Sequence, residues 1–128
     1  MINEFLQQTL TASRQLVTLD DATINHILRD TASALLSRQT EVLAANAEDL
    51  RRIDPMNPKY DRLKLTEERL AGIAEDMKNV ASLPSPLGRL LSETVRPNGM
   101  VIRKVAVPFG VVGVIYEARP NVTFDVFS

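Results

Sequence analysis

The sequence predicts an α/β chain in which a helical run gives way to extended structure. Three observations carry that prediction. Up to about residue 83 the apolar residues recur every three or four positions, the period of helices with one buried face. Leu83-Pro84-Ser85-Pro86-Leu87-Gly88 then breaks the period with two prolines and a glycine. Beyond it lie two short runs flanking Arg96-Pro97-Asn98-Gly99, and then a β-branched run from Val111 to Tyr116 bounded by glycine and proline, the pattern of a buried strand.

From Asp20 onward, Ile24, Ile27, Leu28, Thr31 and Leu35 fall on one stripe, with Asp20 or Asp21 placed to cap the first turn. The other side carries His26, Arg29, Asp30 and Ser33, so His26 is expected in solvent. A second helix is predicted over roughly Thr40 to Arg52, with Val42, Leu43, Ala47 and Leu50 apolar and Thr40 as its cap. Asp54-Pro55-Met56-Asn57-Pro58 ends it, because two prolines forbid continuation, and this segment is expected to be a surface connection. A third helix should begin after Thr66, with Glu67 and Glu68 favourably placed against the helix dipole. Leu70, Ile73, Ala74, Met77 and Val80 form its buried stripe, and Glu75, Asp76 and Lys78 its solvated face.

Leu90 to Val95 and Met100 to Val107 are expected to pair as a β-hairpin, since Pro97 and Gly99 stand where a tight turn requires them. Its second arm is apolar on both faces. A lone copy would leave such a hairpin poorly covered, and its edge would tend to recruit another strand. Val111 to Tyr116 reads as the next strand, Arg119-Pro120-Asn121 as a turn, and Val122, Phe124 and Phe127 as the opening of a helix. That helix reaches Ser128 with no stop signal, so the chain is expected to be cut off within an element.

The bulk numbers narrow the function classes. The 128 residues are 45% hydrophobic and 24% charged, ordinary for a globular chain with one modest core. A net charge of -1 argues against a nucleic-acid surface, which needs a strongly basic patch to replace counterions. The charge is uneven, with a net of -3 over residues 1–83 and +2 over 84–128, a bias suited to a small anionic ligand. No cysteine and a single histidine exclude a disulfide framework, a thiolate nucleophile and a histidine-rich metal site within these residues. Nothing marks the amino terminus for export, and no apolar run is long enough to span a bilayer, so a soluble cytoplasmic protein is expected.

Candidate chemistry gathers at the end of the Val111–Tyr116 run, where open parallel sheets place their ligands. Gly110 and Gly113 lack the three-glycine spacing of a dinucleotide fingerprint, and a bend with close packing explains them equally. Arg119 can hold a carboxylate or phosphate through two parallel hydrogen bonds. Asn121 can donate amide hydrogens to an oxygen that becomes negative during reaction, or it can simply cap the next helix. Tyr116 and Glu117 fit either ligand contact or packing and surface roles.

The segment Val107-Pro108-Phe109-Gly110-Val111-Val112-Gly113-Val114-Ile115-Tyr116-Glu117-Ala118-Arg119-Pro120-Asn121-Val122-Thr123 closely resembles gamma-glutamyl phosphate reductase, also called glutamate-5-semialdehyde dehydrogenase. Leu43-Ala44-Ala45-Asn46-Ala47-Glu48-Asp49-Leu50, Asp61-Arg62-Leu63-Lys64-Leu65-Thr66 and Pro97-Asn98-Gly99 agree with it. The resemblance covers the amino-terminal portion of that longer family. It implies the start of a Rossmann-like aldehyde dehydrogenase nucleotide-binding domain, divided as 1–88 (helical part of the cofactor-binding domain), 89–107 (hairpin, oligomerisation element) and 108–128 (first strand and turn of the nucleotide-binding sheet). It further implies NADPH-dependent reduction of L-glutamyl 5-phosphate to the semialdehyde with release of phosphate, in proline biosynthesis. By the same resemblance Asn121 is the oxyanion donor, Ile115, Tyr116 and Glu117 line the cofactor site, Arg119 faces the anionic substrate, and the chain forms a homo-oligomer through the hairpin. The wider superfamily has a Pro-Trp-Asn type motif where this chain has Arg-Pro-Asn. The family's cysteine nucleophile lies outside these residues, so they alone are expected to be inactive. Two other readings stand beside this one: a non-catalytic helical interaction module, and a dehydrogenase for another aldehyde.

Overall fold

The computed structural model describes residues 2–117 and 119–128; Met1 and Ala118, which fall within the expected divisions 1–88 and 108–128, lie outside them. The elements in chain order are α1 (Ile2–Leu16), α2 (Asp21–Ser37), α3 (Gln39–Leu50), α4 (Lys59–Leu63), α5 (Glu67–Val80), β1 (Leu90–Val95), β2 (Val101–Val105) and α6 (Pro120–Phe127). They group into two units, one of Met1–Asp21 with Pro84–Gly113 and the other of Ala22–Leu83 with Val114–Ser128.

The second unit holds the buried core. Ala32 and Leu35 of α2 meet Leu65 and the face of α5 formed by Leu70, Ile73, Ala74 and Met77, with Leu36, Val42, Leu43 and Phe124 packed around them. Leu70 and Met77 are the largest side chains wholly removed from water. The expected α5 stripe is therefore the core face, and its cap is as expected too: the Thr66 hydroxyl accepts the Arg69 amide at 3.1 Å. On α2 the stripe is rotated. Ala32 is fully buried in the core, whereas Ile27 is 39% exposed. At the far end of α5 the carbonyl of Ala81, one of the carbonyls a helix end leaves unpaired, accepts Arg29 Nη2 at 3.2 Å.

The α3 start differs from expectation. The N-cap is Arg38, with no side-chain cap bond, and Thr40 lies inside the helix. Arg38 instead grips Glu41 at 2.7 Å, and this hydrogen bond holds the Glu41 carboxyl below its usual range. The proline-marked connection leads directly into α4, which the spacing does not show. The Asp54 carboxylate accepts the Met56 amide and the Asn57 side chain accepts the Lys59 amide, each at 2.9 Å, so two short polar side chains satisfy the turn that starts it.

Between α4 and α5 the chain is held by a buried carboxamide. Asn46, 7% exposed on α3, donates to the Leu63 carbonyl at 2.9 Å and accepts the Leu65 amide at 2.8 Å. Arg69 adds a second clamp outside it, with Nη1 at 2.6 Å from the carbonyls of both Asp61 and Lys64.

In the first unit α1 is a helix that the spacing read from Asp20 onward does not include. Thr9 and Thr11 bond back to the carbonyls four residues earlier, and Phe5, Leu6 and Leu16 stay exposed. The hairpin pairs β1 and β2 antiparallel, with Glu93 opposite Arg103 and Val95 opposite Val101. Its turn closes through the Gly99 amide to the Arg96 carbonyl at 2.9 Å. Gly99 has φ of 83°, a conformation that a Cβ disfavours, which is why glycine stands there. Every residue of both strands is exposed, as the two-faced apolar pattern implies.

Val111–Tyr116, expected as a buried strand, forms no strand here. Among the described residues the sheet consists of β1 and β2, and Ile115 is 101% exposed. A buried parallel strand exists only with neighbours to complete its ladder and cover both faces. The run belongs to no helix or strand.

Two substitutions test the core. Leu70→Ala should cost about 2–5 kcal/mol, from lost burial and the cavity left behind. Asn46→Ala should cost about 1–3 kcal/mol by leaving the Leu65 amide buried without a partner, and Asn46→Asp should cost at least as much, because it keeps the acceptor for that amide but sets a buried carboxylate against the Leu63 carbonyl in place of the donor. Urea unfolding followed by circular dichroism reads each value.

Candidate active site

The residues singled out by the sequence gather around the turn from Tyr116 to Thr123, which the second unit positions from three sides. Arg119 precedes a proline and is accordingly extended, with φ of -142° and ψ of 88°. Pro120 takes the first position of α6, where its fixed φ suits a helix and its missing N–H is no loss. Phe124 packs against the core and α6 lies on α5, so the helix is anchored one turn in from its start.

The turn is tied on both sides of Arg119. The Tyr116 hydroxyl and the Thr123 hydroxyl share a hydrogen bond of 2.7 Å. The Glu117 carboxylate meets Lys59 Nζ at 3.1 Å, an exposed pair that joins the turn to the start of α4. Such a pair contributes little stability, but it sets a direction for Glu117.

Asn121 is not the cap of α6. That place belongs to Arg119, which makes no side-chain cap bond, and Asn121 sits inside the first turn. Its carboxamide is exposed and makes no hydrogen bond among the described residues, so both amide hydrogens remain available. Arg119 is likewise exposed and forms no ion pair among the described residues. An unengaged guanidinium and carboxamide two residues apart, beside the positive end of a helix, form a surface that can receive an anionic group or an oxygen gaining charge.

The sequence-predicted residues divide accordingly. Tyr116, Glu117, Arg119 and Asn121 are brought to one turn, while Ile115 projects into solvent ahead of it. Thr123 and Lys59 were not singled out by the sequence. Lys59 lies 58 positions from its partner, and no local pattern announces such a contact. His26 is in solvent as expected, 3.3 Å from the Asp30 carboxylate. Among the described residues no group of three or more His, Asp or Glu could hold a metal ion, and no helix is long and apolar enough to cross a membrane.

No family model matches the chain. Individual proteins do. It is 68% identical over 127 residues to a gamma-glutamyl phosphate reductase of Parabacteroides distasonis, covering 99% of this chain and 31% of that one. It is 65% identical over 117 residues to one from Bacteroides thetaiotaomicron, covering 91% of this chain and 28% of that one. The crystal structure of gamma-glutamyl phosphate reductase from Thermotoga maritima superposes with a TM-score of 0.84 at 29% identity, over 93% of this chain and 30% of that one. The chain thus spans about a third of the length of the relatives it matches. In sequence along nearly all its length, and in its helices and two-stranded hairpin, the chain is similar to the amino-terminal part of gamma-glutamyl phosphate reductases.

Proposed function

We propose that this chain supplies the oxyanion donor and part of the cofactor and substrate surface of an enzyme that reduces L-glutamyl 5-phosphate to L-glutamate 5-semialdehyde, releasing phosphate, in proline biosynthesis. The observation that carries the reading is the free carboxamide of Asn121: it makes no hydrogen bond among the described residues, and the helix it was a candidate to cap starts at Arg119 without it.

In this reading the Asn121 amide donates to the acyl oxygen as that oxygen gains negative charge, and Arg119 holds an anionic group of the substrate. One preorganised donor of this kind is typically worth about 2.7–4 kcal/mol of transition-state stabilisation. The nucleophilic cysteine of the aldehyde dehydrogenase superfamily lies beyond these 128 residues, which contain no cysteine. NADPH is the proposed cofactor, and when bound it supplies hydride. The residues present suit its nicotinamide end: Ile115 offers an exposed apolar surface beside Tyr116 and Glu117. Gly110 and Gly113 do not have the spacing that cradles a pyrophosphate. A soluble biosynthetic reaction of this kind belongs in the cytoplasm.

The hairpin supports assembly with a second copy. Leu90, Leu91, Val95, Val101, Ile102 and Val105 are all between 44% and 64% exposed, more apolar surface than a paired ribbon ordinarily leaves in water.

A complete enzyme is obtained by replacing the matched residues of the Parabacteroides distasonis relative with this chain. With L-glutamyl 5-phosphate it should oxidise NADPH at a higher kcat/KM than NADH, while the 128 residues alone should oxidise neither. Asn121→Ala should lower its kcat about 100- to 1,000-fold without lowering its unfolding temperature; an unchanged kcat would remove the oxyanion role. Ile102→Asp should reduce its molar mass in size-exclusion light scattering, whereas an unaltered mass would place the assembly contact elsewhere.

A further inference from the structure

We propose that Thr123 is a positioning residue for the Asn121 carboxamide, acting through the hydrogen bond its hydroxyl shares with Tyr116. The proposal rests on the reading of Asn121 as oxyanion donor and adds the device that holds it. Three other helical threonines turn their hydroxyls inward: Thr9, Thr11 and Thr31 each bond to the carbonyl four residues earlier, at 2.8–3.0 Å. That back-bond is the default for a hydroxyl in a helix with no other partner. Thr123 departs from it, and its hydroxyl reaches the Tyr116 phenol at 2.7 Å.

The bond joins two residues seven positions apart, on either side of Arg119 and Asn121. On one side the run ending at Tyr116 belongs to no sheet, so no ladder restrains its end. On the other, α6 begins without a side-chain cap, so its first turn depends for its hold on the second. Thr123 precedes Phe124, which is packed on the core, so the fixed part of α6 reaches back through Thr123 to Tyr116. Residues two apart on a helix lie roughly 200° apart around its axis, so the clasp grips one side of α6 and leaves the Asn121 side clear. The branched Cβ of threonine narrows its rotamer choice, which favours one geometry for the clasp.

The test uses the same complete enzyme, with kcat and KM for L-glutamyl 5-phosphate and the unfolding temperature as readouts. Thr123→Val and Tyr116→Phe should each lower kcat about tenfold, with KM within about twofold and the unfolding temperature nearly unchanged. Thr123→Ser should keep most of the rate, and the double variant should be no slower than the slower single one, since both remove one bond. An unchanged kcat in Thr123→Val, or losses that multiply in the double variant, would overturn the clasp. In an Asn121→Ala background Thr123→Val should have little further effect. A full tenfold loss there would overturn the positioning role and leave the Asn121 reading standing, whereas an unchanged kcat in Asn121→Ala alone would overturn that reading itself.

Discussion

The second unit depends on one buried carboxamide. Asn46 gives a donor to the Leu63 carbonyl and an acceptor to the Leu65 amide, two backbone groups that would otherwise lie unpaired where a helix ends and the next has not begun. With those groups satisfied, Leu65 can enter the core and Thr66 can start α5. The face of α5 then meets α2 on one side and Phe124 of α6 on the other. Through α6 the same bracing reaches the turn that carries Arg119 and Asn121. A polar group is tolerated at 7% exposure because its donor and acceptor are both used, and such fully satisfied pairs specify one register of packing more sharply than apolar contact does.

Burial is distributed unequally. The contiguous core lies in Ala22–Leu83 with Val114–Ser128, while the hairpin and the stretch after it present Val95, Val107, Phe109 and Val112 at half exposure or more. A two-stranded ribbon gains too little from its own pairing to be independently stable. Its cross-strand ion pair, Arg103 with Glu93 at 2.6 Å, is exposed and adds modestly. Pairing within the hairpin therefore leaves most of its apolar surface without the stabilisation that burial gives.

Much of the helical part was legible because helix periodicity is local. The α5 stripe and its Thr66 cap follow from spacing and from one hydroxyl, and the positive φ at Gly99 follows from the Pro-Asn-Gly order of the turn. Other features were not legible. Thr40 has the chemistry of a cap, yet Arg38 occupies that place, because the end of α2 and the start of α3 share a junction whose geometry no residue type reports. Ile27 has the spacing of a core residue, but Ala32 is the one wholly buried while Ile27 is 39% exposed. Val111–Tyr116 has the composition of a buried strand and lacks the neighbours that make one.

The Val107–Thr123 block carries residue identities specific enough to indicate the family, and composition alone excluded cysteine chemistry and a basic binding surface within these residues. Whether Asn121 was a cap or a free donor could not be decided from its spacing, since both uses put asparagine at the start of a helix. The tertiary structure removes the capping role. Arg119 takes the cap position, Pro120 opens the helix, and Tyr116 closes on Thr123, which leaves the carboxamide unengaged. The physical reason is that a side chain's hydrogen-bonding role depends on which groups come within about 3 Å of it, and that is settled by the path the chain takes around it and by the packing of Phe124 on the core, rather than by the identity of the residue.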